Sequence, residues 1–192
     1  MTTLQEQFEK DFPDKSVREI IIDGKYLINT NFTNYDLDLR AYSNLIGFFC
    51  SSNNLTSVDF LNQLHNPEKL KILTIYDNNI QPTDISFFSK FINLKYLKIG
   101  TTNNKIGTTN INREKYNRFY GSLKAYQNLT KLEEICIEAT DVNEGLEYLP
   151  ESLAKAAKRI GYDVIECSPH NTNAKCKAIQ DQLRPFNYDL EA

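Results

Sequence analysis

The chain has 192 residues, 41% hydrophobic and 24% charged, an ordinary globular composition in a length that suits one domain. Its net charge of −3 argues against a general binder of nucleic acid or of acidic membranes. No stretch approaches the ~20 apolar residues of a membrane span. The opening residues lack the basic-then-apolar order of a secretory signal, so a cytoplasmic or nuclear location with reduced thiols is expected.

Residues 3–12 open the chain with a predicted helix. Leu4, Phe8 and Phe12 recur every four residues as one apolar stripe, and Pro13 ends it. A polar, Asn-rich stretch at 28–44 carries Leu37, Leu39 and Tyr42 as scattered anchors. Segments led by Val58, Phe60, Leu61 and Leu64, and by Ile85, Phe87, Phe88 and Phe91, are expected as convex helices or loops. The second starts with Pro82-Thr83-Asp84, a helix-start signal. Thr101 to Asn112 is mostly Gly, Thr and Asn, with little to bury. Tyr116, Phe119, Tyr120 and Leu123 then fall at helical spacing and predict a helix over about 113–124. Toward the C-terminus, a helix from Pro150, a strand at 164–167 and a helix from Thr172 to Leu183 are expected.

Between these segments one phrase returns. Leu70-x-x-Leu73-x-Ile75-x-x-Asn78-x-Ile80 and Leu45-x-x-Phe48-x-Cys50-x-x-Asn53-x-Leu55 share every fixed position. Weaker copies begin at Val17, Leu94 and Leu132, with Lys25, Thr102 and Thr140 where Asn is expected. The first slots fall at residues 17, 45, 70, 94 and 132, so successive units measure 28, 25, 24 and 38 residues. The last interval therefore holds an insertion, over roughly 100–129. Within each phrase the apolar residues alternate like those of a half-buried strand. An Asn side chain both donates and accepts, so it can serve backbone groups that a turn leaves unpaired. Equal slots should lie side by side, with 70–76, 94–99 and 132–138 as neighbouring parallel strands.

The phrase, its spacing and the flanking helices resemble the leucine-rich repeat superfamily over about residues 17–167. Segments such as Ser52-Asn-Asn-Leu-Thr-Ser-Val-Asp-Phe-Leu-Asn look like those of intracellular fungal members, some fused to kinases. No kinase motif is present in this chain. The resemblance implies an α/β leucine-rich repeat solenoid. It would be a curved right-handed horseshoe with a parallel concave sheet, convex helices and loops, and helical caps. Residues 1–16 would form the N-terminal cap, 17–147 the repeats and 148–192 the C-terminal cap of a single domain. Protein or peptide binding is the role it implies, without catalysis. The alternative is a recognition segment of a larger signalling or ubiquitin-ligase assembly.

Chemistry is sparse. The chain has two histidines and no phosphate-binding loop, zinc-protease or nucleophile-elbow motif. Cys167-x-x-His170 with Cys176 supplies three of the four ligands that structural zinc takes, so neither metal nor cofactor is expected. His65 reads as a surface residue, and the glutamates at 133, 134 and 138 as a solvated acidic face. Among the cysteines, Cys50 fills a core slot, whereas Cys136 sits at an outward position and should be the thiol most open to alkylation.

The outward positions of the strands map a candidate surface. The first unit offers Arg18, Glu19, Ile21 and Asp23. The candidate binding residues are Phe49, Lys71, Ile72, Thr74, Tyr76, Lys95, Tyr96, Lys98, Glu134 and Cys136. Their middle is aromatic and aliphatic, flanked by lysines and acidic toward the C-terminal side. Such an apolar patch with a polar rim marks an interaction site.

Overall fold

The computed structural model describes residues 4–22, 24, 37–53, 55–100, 116–137, 140–153 and 165–166. Among the described residues the helix α1 (Leu4–Asp11) precedes nine short strands. They are β1 (Glu19–Ile21), β2 (Gly47–Phe49), β3 (Ile72–Thr74), β4 (Thr83–Asp84), β5 (Tyr96–Lys98), β6 (Phe119–Ser122), β7 (Glu134–Cys136), β8 (Asp141–Glu144) and β9 (Ile165–Glu166). They form two sheets, one of six strands in the order β1-β2-β3-β5-β7-β9 and one of three in the order β4-β6-β8. Every pairing is parallel, so each connection crosses over and returns to the same side. The three segments expected as parallel neighbours lie side by side, Leu73 against Leu97 and Leu97 against Ile135. Among the described residues no helix is long and apolar enough to cross a membrane.

The register aligns the apolar slots. Ile20, Phe48, Leu73, Leu97 and Ile135 form one column across the large sheet, each 0% exposed. Two residues on, Ile22, Cys50, Ile75, Ile99 and Ile137 are also buried. Burying one such side chain is worth about 1.5–3 kcal/mol, so the stacked columns are the main cohesive force. The helix α1 sits as expected. Its Phe8 is 0% exposed and its ring lies 5.1 Å from Phe12 and 5.5 Å from Tyr42. The Gln5 side-chain carbonyl accepts a 2.7 Å bond from the Asp38 amide and fastens the helix to the chain below.

The strands end in a repeated turn. Gly24, Ser52 and Asp77 occupy the same place after β1, β2 and β3, with φ of 62°, 56° and 54°. Each amide donates to the carbonyl of the next segment, at Ser51, Tyr76 and Gly100. The residue that follows is the asparagine of the phrase in two of the three. Asn78 Nδ2 donates to Cys50 O at 2.9 Å and Ile75 O at 2.8 Å. Its Oδ1 accepts from the amides of Asn53 and Leu55 at 3.0 and 2.9 Å. Asn53 Nδ2 makes 2.8 Å bonds to Ile22 O, the counterpart of Cys50 O, and to Ser51 O, the counterpart of Tyr76 O. Lys25 and Thr102 lie outside the described residues. Thr140 Oγ1 donates a 2.7 Å bond to Ile137 O.

The expected helix over 113–124 is not formed at its described residues, 116–124. Residues 119–122 are strand β6, followed by a 3₁₀ turn at Leu123–Tyr126. Phe119 is buried and Tyr120 exposed, a strand alternation that matches helical spacing over so short a window. The reason is Asn117, which is 0% exposed. Its Nδ2 donates to Ile75 O and Ile99 O at 2.9 Å and to Gly100 O at 3.2 Å. Those are the partners that the phrase assigns to position 102. The inserted stretch therefore falls between Gly100 and Asn117, inside the phrase, and residues 117–129 belong to the sheets and core.

The two segments expected as convex helices or loops contain 3₁₀ turns, at Asp59–Gln63 and Ile85–Lys90, and further 3₁₀ turns lie at Pro67–Lys69, Leu123–Tyr126 and Leu146–Tyr148. Spacing explains these turns. Ile85, Phe88, Phe91 and Leu94 recur every third residue, as do Leu123, Tyr126, Leu129 and Leu132, and all eight are 0% exposed. A period of three matches a 3₁₀ turn rather than 3.6 residues per turn. Side chains of Asp84 and Ser122 cap two of these turns by accepting from Ser86 N and Lys124 N. Residues 151–153 are helical and the expected last strand is present as β9. The remainder of the expected C-terminal cap lies outside the described residues.

Candidate functional site

Alternation turns the residues beside the buried column onto the opposite face of the six-stranded sheet. One outward row runs Glu19, Gly47, Ile72, Tyr96, Glu134, and the next Ile21, Phe49, Thr74, Lys98, Cys136. Lys71, Lys95 and Glu133 border the first row, one residue before Ile72, Tyr96 and Glu134. Tyr76 lies two residues beyond Thr74. The register thus brings Phe49, Ile72, Thr74, Tyr96, Lys98, Glu134 and Cys136 to one face, with Lys71, Lys95 and Tyr76 just beyond the ends of its strands.

The face is uneven. At its β1 end Ile21 is 58% exposed, the most open large hydrophobic residue among those described. Beside it Phe49 is half-buried, because its ring folds back over Gly47. A Cβ at Gly47 would lie 3.0 Å from Phe49 Cε2 and 3.1 Å from Glu19 Cγ, so a larger residue there would have to push the ring and the Glu19 stem aside. Ile72, Tyr76 and Tyr96 are likewise half-buried, and Thr74 is 7% exposed. Cross-strand packing takes up part of this surface, and the rest stays open around Ile21 and Phe49.

At the β7 end the charges are matched. Lys95 Nζ lies 2.7 Å from Glu133 Oε1, and Lys98 pairs with Glu134. The Tyr96 hydroxyl donates to the other Glu133 oxygen at 3.4 Å. The expected solvated acidic face is therefore corrected at Glu133 and Glu134, whose carboxylates face lysines one strand away. Such half-exposed pairs are worth about 0.2–1 kcal/mol each. Lys71 is exposed and has no ion pair among the described residues.

Cys136 corrects a second expectation. Register puts it on the outward row, yet it is 1% exposed, as buried as Cys50. Two neighbours account for this. Lys98 stands beside it on β5, and β9 pairs along the other side of β7, opposite Ile135 and Cys136. A strand of two residues and its distant partner leave no local signal at Cys136.

Ile21 and Gly47 fall outside the candidate set, though both carried a signal in sequence. Ile21 is an aliphatic residue at an outward slot, and Gly47 a glycine inside a strand, which marks close approach of another group. The aromatic segment at 116–120 lies elsewhere, on the three-stranded sheet. There Tyr120 is 45% exposed, and the Tyr116 hydroxyl donates to Asp141 at 3.3 Å. His65 is exposed, as expected. Among the described residues no cluster of His, Cys, Asp and Glu could hold a metal ion, and Cys167, His170 and Cys176 lie outside them. No family model matches the chain, and neither curated proteins nor solved structures show a match to it.

Proposed function

We propose that this chain is a leucine-rich repeat solenoid that binds a partner protein or peptide on a concave face, without catalysis of its own. The concave face would be the outward side of the six-stranded sheet. Support for the repeat comes from six parallel strands in sequence order and from recurring asparagine bonds at their ends. Support for binding rests on one observation above the others. Ile21, 58% exposed, adjoins the half-buried Phe49 on the outward face of the sheet. Exposed apolar side chains on a strand lose burial energy that a partner restores.

Affinity capture from a cell extract tests the reading. Wild type is compared with the Phe49→Ala/Tyr96→Ala double variant and with Phe48→Ala, folding being checked by circular dichroism. A partner retained by wild type and lost by the folded double variant is expected. Partners that bind both equally would remove the face from consideration.

A further inference from the structure

We propose that the ligand of this face is an acidic, apolar segment of a partner protein. One large aliphatic or aromatic side chain would seat on Phe49 between Ile21 and Ile72, with a carboxylate held by Lys71. The inference rests on the binding reading above and adds which half of the face is used and by what chemistry.

Two observations divide the face. Toward β7, Lys95 and Lys98 already face Glu133 and Glu134, so a ligand charge there would displace an existing partner. Toward β1, Ile21 is exposed, and Lys71 has no ion pair among the described residues. Lys71 is exposed and sits next to Ile72, which lies directly across from Gly47. Arg18 and Glu19 are exposed as well, but as adjacent residues of opposite sign they nearly cancel. Lys71 therefore supplies the unbalanced charge beside the patch, and its complement is a carboxylate.

The platform is also held in place. The Phe49 ring edge lies over Gly47, where an added Cβ would meet Cε2 at 3.0 Å, so the ring is seated on the sheet before a ligand arrives. Strands lie about 4.8 Å apart and rise about 3.3 Å per residue, which puts the Lys71 backbone roughly 6 Å from the ring over Gly47. An extended ligand advances about 3.3–3.6 Å per residue. With the reach of a lysine side chain, the acid belongs one to three residues from the apolar anchor.

The test pans the full chain against a random twelve-residue peptide library. Enriched peptides are then titrated against wild type, Phe49→Ala, Lys71→Glu and Gln127→Ala, an exposed site remote from the face. Expected are peptides with an aliphatic or aromatic residue and Asp or Glu within three positions. Phe49→Ala should weaken them at least about tenfold, the scale of an interface anchor. Lys71→Glu should weaken them about fivefold and should favour the same peptide with Lys in place of its acid. Gln127→Ala should change nothing. Basic or uncharged peptides that still need Phe49 would overturn the acidic ligand and leave the binding face standing. Peptides indifferent to Phe49→Ala would remove both readings. A library that enriches nothing overturns the short linear ligand, and capture of a partner then decides the binding reading separately. Concentration-dependent self-association abolished by Ile21→Ser would make the occupant a second copy of this chain and overturn the proposal.

Discussion

Asn117→Ala should be among the most damaging single changes in this chain, although nothing in the repeat phrase marks that residue. The size of the loss follows from which groups are orphaned. Ile75 O keeps a 2.8 Å bond from Asn78 when Asn117 is truncated, and Gly100 O keeps one from the Asp77 amide at 3.2 Å. Ile99 O and Ile80 N lose the Asn117 partners that meet them at 2.9 and 3.3 Å. Two buried groups without partners cost about 1–2 kcal/mol each, so a loss of roughly 3 kcal/mol is expected. With a urea m-value of about 2–3 kcal/mol/M, the midpoint should fall by about 1–1.5 M. Circular dichroism at 222 nm gives the assay, with Thr102→Ala as the control. Thr102 holds the position that the phrase gives to the same duty, yet its substitution should stay within about 0.5 kcal/mol. A midpoint shift below about 0.3 M for Asn117→Ala, or an equal shift for Thr102→Ala, would refute the assignment of Asn117 to that duty.

Gly145→Ala should destabilise the fold by more than about 2 kcal/mol on thermal or chemical denaturation. The glycine has φ 93°, and a Cβ there would lie 2.5 Å from Ser122 Oγ and 2.7 Å from Leu123 N. Thr140→Ala removes one buried bond and should cost about 1 kcal/mol, clearly less than Asn117→Ala in the same urea titration. Cys50 and Cys136, each 1% exposed, should both resist alkylation of the native protein and react only on unfolding, as mass mapping would read. Rapid modification of Cys136 would contradict the burial. Phe48→Ala should cost about 3–5 kcal/mol, whereas Phe49→Ala, half-buried on the outward face, should cost about 1–2 kcal/mol. The reverse order would place the register one residue out.

The slots that alternate with a period of two are legible in the amino-acid sequence alone. Leu73, Leu97 and Ile135 face inward because a one-residue slip would expose the whole column. The asparagine phrase likewise foretells the bonds of Asn53 and Asn78. It fails at Asn117, because a residue's duty is displaced along the chain by the stretch inserted before it. Aromatic spacing near 119 fits a helix as well as it fits a strand of four residues. Seven of the ten candidate residues are legible as a set, since parallel register places Phe49, Ile72, Thr74, Tyr96, Lys98, Glu134 and Cys136 on the two outward rows. The energetics of the face are not. The pairing of Lys95 with Glu133 spans 38 positions, the ring of Phe49 folds onto Gly47, and β9 flanks Cys136. Each depends on contacts that side-chain periodicity within one segment does not encode.

Asn117 also makes the chain divisible at one place. Its side chain grips Gly100 O at 3.2 Å, so the two ends of the stretch 101–116 are tied across its mouth. The strand hydrogen bonds before and after that knot close without it. Lengthening a closed loop costs little, about 0.6 kcal/mol for each doubling. Asn117 therefore holds both ends of the stretch, Gly100 and its own backbone, to the frame. A tag, a reporter hairpin or a small domain with adjacent termini could be exchanged into the stretch while every register of the large sheet is kept. An equal insertion between Ile75 and Asn78 would separate a side chain from the carbonyl it bonds at 2.8 Å and break the frame.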